Sequence, residues 1–123
     1  SYPPMFNPMV CDYYAGMIVA VPIVRRTLAK RTSIKEIHEV LKNHYRCEHF
    51  VKVMSLGGEE ELENGFMSAN ALEGTNNMQI FVSGNDEQIL ICSRLDNLGK
   101  GASGAAVQCL NIMMGIDEKT GLE

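Results

Sequence analysis

A glycine-rich run with a single lysine lies late in the chain, where residues 96–104 read DNLGKGASG. Glycines let a ligand approach the backbone closely, and the amide groups at the start of a helix favour an anion. The lysine is misplaced for a phosphate loop of the G-x-x-x-x-G-K-S/T kind, which excludes that class of site. On physical grounds alone, a glycine-rich turn between a strand and a helix more often serves packing than ligand binding. Both roles stay open at this point.

A second group of chemically capable residues lies in the first half of the chain. His44, Cys47 and His49 are close in sequence, and His38 precedes them on the same predicted helix. Such soft ligands could bind zinc if a loop folded back. Their spacing is not a recognised zinc pattern, and no pair repeats. An ordinary helix end followed by a strand is the favoured interpretation, so no metal ligand is predicted.

The four cysteines are widely and irregularly spaced, which is not typical of a secreted disulfide scaffold. They are predicted to be free thiols in a reducing compartment, and the cytoplasm is the expected location. No residue of the chain is predicted to be catalytic. Cys92 is expected in a buried strand and Cys109 on the core-facing side of a helix, where burial raises the pKa of a thiol and makes it inert. Cys11 and Cys47 also lack a setting that would activate them.

Length and composition are those of one ordinary globular domain. The chain has 123 residues, of which 46% are hydrophobic and 21% charged. A net charge of -4 argues against nucleic acid as a partner, because a phosphate backbone requires a basic face. No apolar run is long enough to cross a bilayer, so no membrane association is predicted.

The hydrophobic pattern predicts three elements in the first half of the chain. Residues 16–24 form a near-continuous apolar run, predicted as a strand buried on both faces, with Pro22 at a sheet edge or strand end. Residues 33–45 show helical spacing and begin with the capping-box pair Ser33 and Glu36. Residues 50–56 are predicted as a strand, and residues 57–61 as an exposed, mobile acidic loop. The proline-broken residues 1–15 cannot form a regular element.

The second half predicts a β-hairpin followed by a helix. Residues 78–83 and 88–96 flank a Gly-Asn turn, and a helix is expected over residues 102–114, ending at Gly115. Its small and apolar stripe should face the sheet, and comprises Ala102, Ala106, Cys109, Leu110 and Met113. The predicted fold class is α+β, a mixed, mainly antiparallel sheet with two main helices packed on it.

Three segments of the sequence resemble a known family. Residues 96–108 (DNLGKGASGAAVQ) and 115–122 (GIDEKTGL) closely resemble the C-terminal signature of N-acetyl-γ-glutamyl-phosphate reductases, and Gly74-Thr75-Asn76 also matches. That family is an NADP-dependent acyl-phosphate reductase of arginine biosynthesis. The resemblance implies a glyceraldehyde-3-phosphate-dehydrogenase-like C-terminal domain over residues 1–123, which also makes the subunit contact. A homodimer or tetramer is therefore expected.

The resemblance also implies what the chain supplies and what it lacks. The dinucleotide-binding domain of the family, its thioester-forming cysteine and its assisting histidine would all precede Ser1, so the chain is expected to be inactive alone. Asn97, Leu98 and Gly99 would lie near the nicotinamide end of NADP. Lys100 would face the phosphate side of the active site.

The sequence departs from the family near its start. Met9, Tyr14 and Ala15 stand where most members have a His and an Asn-Arg pair, which puts the identity of the substrate in doubt. Two alternatives stay open: a stand-alone dimerising or binding module, and a fragment of an aspartate-semialdehyde-dehydrogenase-like enzyme.

Overall fold

The computed structural model of the chain describes Pro3 and residues 5–122. A four-stranded sheet forms its centre, with the strands β1 (Met17–Val24), β2 (Val51–Val53), β3 (Met78–Gly84) and β4 (Gln88–Leu95) in the spatial order β1-β4-β3-β2. The pairs β1–β4 and β3–β4 are antiparallel, and β2–β3 is parallel. The α+β prediction of a mixed, mainly antiparallel sheet with two main helices is confirmed.

The helix α1 (Ile34–His44) begins as its sequence predicts. The Ser33 hydroxyl accepts from the Glu36 amide, and the Glu36 carboxylate accepts from the Ser33 amide, which completes the capping box. The helix packs against β2 and β3. The buried His38 anchors it, because its Nε2 donates to the carbonyl of Met54 at 2.8 Å.

The core lies on the hairpin formed by β3 and β4. Val82 and Ile89 are almost fully buried, and Phe81 and Cys92 pair across the hairpin and pack against Met54. Burial raises the pKa of the Cys92 thiol, as predicted for a structural cysteine. All four cysteines are free thiols.

Two surfaces predicted to be buried are exposed. β1 is an edge strand, as Pro22 indicates, but Val19 and Val21 are 44% and 49% exposed, so the prediction of burial on both faces is wrong. The second helix, α2 (Gly104–Met114), exposes the whole predicted core-facing stripe, including Cys109 and Leu110. Among the described residues, nothing covers either surface.

The predicted acidic loop is partly buried, so the prediction that all of residues 57–61 are exposed is wrong. Gly58 packs on the Phe81 ring, and Glu61 accepts a hydrogen bond from Gln79 at 3.2 Å. The buried Arg94 lies in β4 and donates to Gln79 and to the carbonyl groups of Glu61 and Ser68, which holds this loop against the sheet. Only Glu59 and Glu60 are solvated as predicted.

The described part of the N-terminal segment contains no regular element. Of the proline-broken start, Ser1, Tyr2 and Pro4 lie outside the described residues, and residues 5–16 form no helix or strand.

Within the part of the chain that is described, no helix has the length and apolar character that a membrane span requires. β2 is shorter than the predicted residues 50–56, because only Val51–Val53 pair with β3.

Candidate functional site

The loop that follows β4 is organised by one buried carboxylate. Asp96 is 3% exposed and accepts hydrogen bonds from three backbone amides, those of Gly74 and Leu98 at 2.7 Å and of Gly99 at 3.1 Å. Burial by itself would raise the pKa of Asp96. The three amide donors outweigh it, so this pKa lies below its ordinary value. Asp96 is therefore a fixed anion that ties the glycine-rich loop to the segment before β3.

A π-helical turn connects this loop to α2. Residues Gly99–Ser103 form it, with the amides of Gly101, Ser103 and Gly104 donating five residues back. Such turns are uncommon and are frequent at functional sites. Gly99 admits no side chain, because a Cβ there would lie 2.7 Å from the carbonyl oxygen of Thr75. The glycines of this run thus serve close backbone packing, one of the two roles left open by the sequence.

A cleft of about 510 Å³ opens beside the π-helical turn. Four segments line it: residues 14–15, residues 73–76, residues of the loop and turn (Asp96, Leu98, Gly99 and Ser103), and residues 121–122. The charged side chains of the lining are those of Glu73 and Asp96, and no Lys or Arg of the described residues contributes to it. The cleft therefore suits a neutral or positively charged group better than a phosphate.

The four predicted site residues divide between the cleft and the packing around it. Leu98 and Gly99 line the cleft. The Oδ1 of Asn97 accepts a hydrogen bond from the amide of Gly16 at 2.8 Å, so it holds the start of β1 rather than standing free in a surface loop. The Nζ of Lys100 donates to the Oε1 of Gln108 at 2.6 Å and lies 5.4 Å from the Phe50 ring centroid.

The residues after α2 fold back to complete the cleft. The Nδ2 of the buried Asn111 donates to the carbonyl groups of Glu118 at 3.1 Å and Thr120 at 2.8 Å. These bonds bring Gly121 and Leu122 to the cleft wall. Sequence reasoning did not assign roles to Asn76, Gln108 or Asn111. Polar residues on an otherwise apolar helix were the signal for the last two.

The alternative zinc site is not assembled. Within residues 5–122, no three His, Cys, Asp or Glu side chains come together in a group that could hold a metal ion. His38 is engaged by Met54, and His44 and His49 make edge contacts with the rings of Tyr45 and Phe50.

The sequence matches a family model, described as the dimerisation domain of semialdehyde dehydrogenase, over residues 1–97. The chain belongs to this family. The match includes the sheet and ends within the loop that follows β4, so α2 lies beyond it.

Relatives with a stated activity agree with the resemblance carried by residues 96–108 and 115–122. N-acetyl-gamma-glutamyl-phosphate reductase 2 of Nostoc sp. is 48% identical over 123 residues, which cover 98% of this chain and 38% of that protein. The N-acetyl-gamma-glutamyl-phosphate reductase of Trichormus variabilis gives the same values. The reductase of that name from Brucella ovis is 41% identical over 114 residues, covering 91% of this chain and 36% of its own length. The chain thus spans well under half of these relatives.

Proposed function

We propose that residues 1–123 are the C-terminal substrate and dimerisation domain of an NADP-dependent N-acetyl-γ-glutamyl-phosphate reductase of arginine biosynthesis, acting in the cytoplasm. The observation that carries this proposal is the 48% identity to a protein of that name over 98% of the chain. The parent enzyme reduces an acyl phosphate to a semialdehyde through a cysteinyl thioester. NADPH supplies the hydride for that step.

The cleft supports a place for the nicotinamide end of the cofactor. Its lining carries no basic side chain among the described residues, which fits a neutral ring with an amide better than a phosphate group. Leu98 offers an apolar surface, Gly99 also lines the cleft, and Asn97 precedes them in the sequence. The placement of Lys100 at the phosphate side stays a prediction, and its ammonium group also contacts Gln108 and the Phe50 ring.

The chain alone is proposed to be inactive. None of its four cysteines lines the cleft, and Cys92 is buried with a raised pKa. A thioester requires an accessible thiolate. The nucleophile and the dinucleotide-binding domain therefore come from the remaining part of the parent.

The apolar outer surface of α2 supports contact with that remaining part. Leu110, Met113 and Met114 are 53%, 85% and 65% exposed. The helix turns its polar Gln108 and Asn111 towards its own domain instead. A contiguous exposed apolar surface on a helix typically marks a contact with another surface. Since α2 lies beyond the dimerisation match, we assign its surface to the rest of the parent chain.

The open face of the sheet supports a symmetric homo-oligomer, a dimer or tetramer. Val19 and Val21 of β1 share a face with Ser93 and Ile91 of β4, because residues directly opposite each other project to the same side. The two valines are about half exposed, and an apolar sheet face of this kind favours face-to-face packing with a second copy.

A stand-alone dimerising module is the second candidate, favoured by the description of the matched family as a dimerisation domain. An aspartate-semialdehyde-dehydrogenase-like parent is compatible with the same match. Turnover of the purified parent with acyl phosphates of N-acetylglutamate and of aspartate separates the two enzymes. A parent that self-associates but turns over neither substrate would support the stand-alone dimerising module.

The experiment that tests the cofactor assignment is a pair of substitutions in the intact parent. Asn97→Asp keeps the Oδ1 acceptor for the Gly16 amide and removes the amide donor, whereas Asn97→Ala removes both. We expect Asn97→Asp to keep the unfolding free energy and to raise the KM for NADPH. Asn97→Ala should also lose about 1–2 kcal/mol of stability, because the part-buried Gly16 amide loses its acceptor.

Asn70→Asp is the control for the added charge, because Asn70 also lies beside Gly16 but, unlike Asn97, is not flanked in the sequence by residues of the cleft lining. It should leave the KM for NADPH unchanged. A normal KM in Asn97→Asp would contradict a cofactor contact at this residue.

A further inference from the structure

The side-chain amide of Gln108 lies at the junction of three segments that line the cleft. Its Oε1 accepts from the Nζ of Lys100 at 2.6 Å and from the Nδ2 of Asn76 at 3.4 Å. Its Nε2 donates to the Oε2 of Glu118 at 2.8 Å. One residue of α2 thus bonds to the segment before β3, to the π-helical turn and to the tail after α2.

The two charged partners determine which way this amide faces. An ammonium group can only donate hydrogen bonds, and a carboxylate can only accept them. The oxygen of Gln108 must therefore face Lys100, and its nitrogen must face Glu118. The orientation of an amide is often ambiguous, but here the charges at both ends remove the ambiguity.

The orientation of Gln108 in turn fixes the amide of Asn76. Only the Nδ2 of Asn76 can face the Oε1 of Gln108, so its Oδ1 is turned away. Asn76 is 3% exposed, and its Oδ1 is buried without a hydrogen-bond partner among the described residues. This oxygen lies where a Cβ at position 104 would be, so only glycine fits at the start of α2. An unsatisfied buried oxygen costs free energy, and such an arrangement needs a surrounding network that holds it.

We propose that Gln108 is a positioning residue for the cleft, oriented by Lys100 and Glu118. It bonds directly to residues 73–76 and to the Gly99–Ser103 turn, and with Asn111 it anchors the tail that carries residues 121–122. The proposal rests on the proposed cofactor site for its effect on catalysis. Its effect on the geometry of the tail does not depend on that site.

A charge-exchange pair tests the proposal in the intact parent and in the 123-residue chain. Gln108→Glu keeps the size of the side chain and replaces the donor to Glu118 by a second carboxylate at hydrogen-bond distance. Repulsion should move the tail away from the cleft. We expect the KM for NADPH to rise about tenfold, in keeping with the large cost of small displacements at a reaction site. Amide hydrogen exchange at Thr120 and Leu122 should become faster in the 123-residue chain.

Glu118→Gln is the matched partner of this variant. Alone, it still offers an oxygen to the Nε2 of Gln108, so KM and exchange should stay within about twofold of wild type. In the double variant, the introduced amide donates to the introduced carboxylate, which also accepts from Lys100 and Asn76. Both readouts should return to within about threefold of the wild type, because every hydrogen bond of the network has a donor and an acceptor again.

The two readouts separate the two proposals. A wild-type parent that does not use NADPH would overturn the proposed function. Hydrogen exchange in the 123-residue chain would still test the hydrogen bonds of Gln108. Equal defects in Gln108→Glu and in the double variant, by exchange or by KM, would overturn the positioning role. Rescue of both supports it, because a purely local packing defect at Gln108 would not be repaired at residue 118.

Discussion

The two α-helices have the same length, eleven residues, and opposite relations to the rest of the domain. α1 places its buried residue, His38, against Met54 and its charged residues outside. α2 places its polar residues, Gln108 and Asn111, against its own domain and its apolar residues outside. The contrast shows that α1 buries its anchoring residue within this domain, whereas the apolar side of α2 is left uncovered by the described residues.

The starts of the two helices differ in the same way. α1 begins with a local device, the reciprocal bonds of Ser33 and Glu36, and the amide of Ser33 lowers the pKa of the Glu36 carboxyl. α2 has no side-chain cap. Its start is held by contacts distant in sequence: Asn76 packs on Gly104, and Asp96 binds the amide of Gly74. A cap can be read from four adjacent residues, but long-range contacts of this kind cannot.

The largest effect is expected from a methyl group at the start of α2. Gly104→Ala places a Cβ against the Asn76 Oδ1 and at 2.9 Å from the Gly99 carbonyl oxygen, both in tightly packed surroundings. We expect a loss of about 3 kcal/mol of unfolding free energy, the upper part of the range for overpacking. Ser33→Ala at the start of α1 should cost about 1 kcal/mol, the usual cost of a lost cap. Urea unfolding followed by circular dichroism measures both.

Gly101→Ala is the control for Gly104→Ala. A Cβ at position 101 would lie 3.3 Å from its nearest atom, the Asp96 carbonyl oxygen, and a small shift can relieve this contact. Its cost should stay below about 1 kcal/mol. If Gly104→Ala proves no more costly than Ser33→Ala, the start of α2 is not held by close packing, and this difference between the helices disappears.

A smaller effect, with a distinct pH dependence, is expected from the carboxylate that leads into α2. Asp96→Asn removes a charge-assisted acceptor for three backbone amides and should cost about 2 kcal/mol at neutral pH. The folded-state pKa of Asp96 is lowered, so its stabilisation is present above the ordinary carboxyl pKa and is lost as the pH falls through the folded-state value.

The stability difference between wild type and Asp96→Asn should therefore be constant from pH 6 to 8 and shrink below about pH 4. Unfolding free energies measured across this range decide the question. A difference that grows on acidification would mean that burial, and not the amide donors, controls the pKa of Asp96.

Much of the fold could be predicted because its signals are local. The capping box located α1 to within a residue, and alternating apolar residues around a Gly-Asn turn located the hairpin of β3 and β4. The parallel pairing of β2 with β3 has no local signal, since it depends on the path of residues 54–77. The prediction that β1 and α2 are buried within this domain is wrong. An apolar run favours burial, but it does not indicate whether the same domain or another surface covers it.

The sequence located the loop and turn beside the cleft, but it did not assign a role to each of their residues. The run from Asp96 to Gly104 does form the loop and turn beside the cleft. The Oδ1 of Asn97 accepts from the amide of Gly16, 81 residues away in sequence, and no local pattern predicts this bond. Asp96 and Gln108 act through amides and side chains contributed by distant segments. Residue types indicated that a polar site exists, and only the three-dimensional arrangement assigns the bonds.

The smallest effect is expected from truncating a large apolar side chain on α2. Leu110 is 53% exposed, so Leu110→Ala should change the unfolding free energy of the 123-residue chain by less than about 0.5 kcal/mol. The matched residue on α1 is the half-buried Leu41, whose truncation should cost about 1–2 kcal/mol. The proposed contact of α2 with the rest of the parent predicts a cost of about 2 kcal/mol for Leu110→Ala in the intact parent, because truncating a covered side chain leaves a cavity. Urea unfolding of the chain and of the parent gives all three values. A parent that tolerates Leu110→Ala as well as the chain does would show that α2 faces solvent in both, and that its apolar surface has some other role.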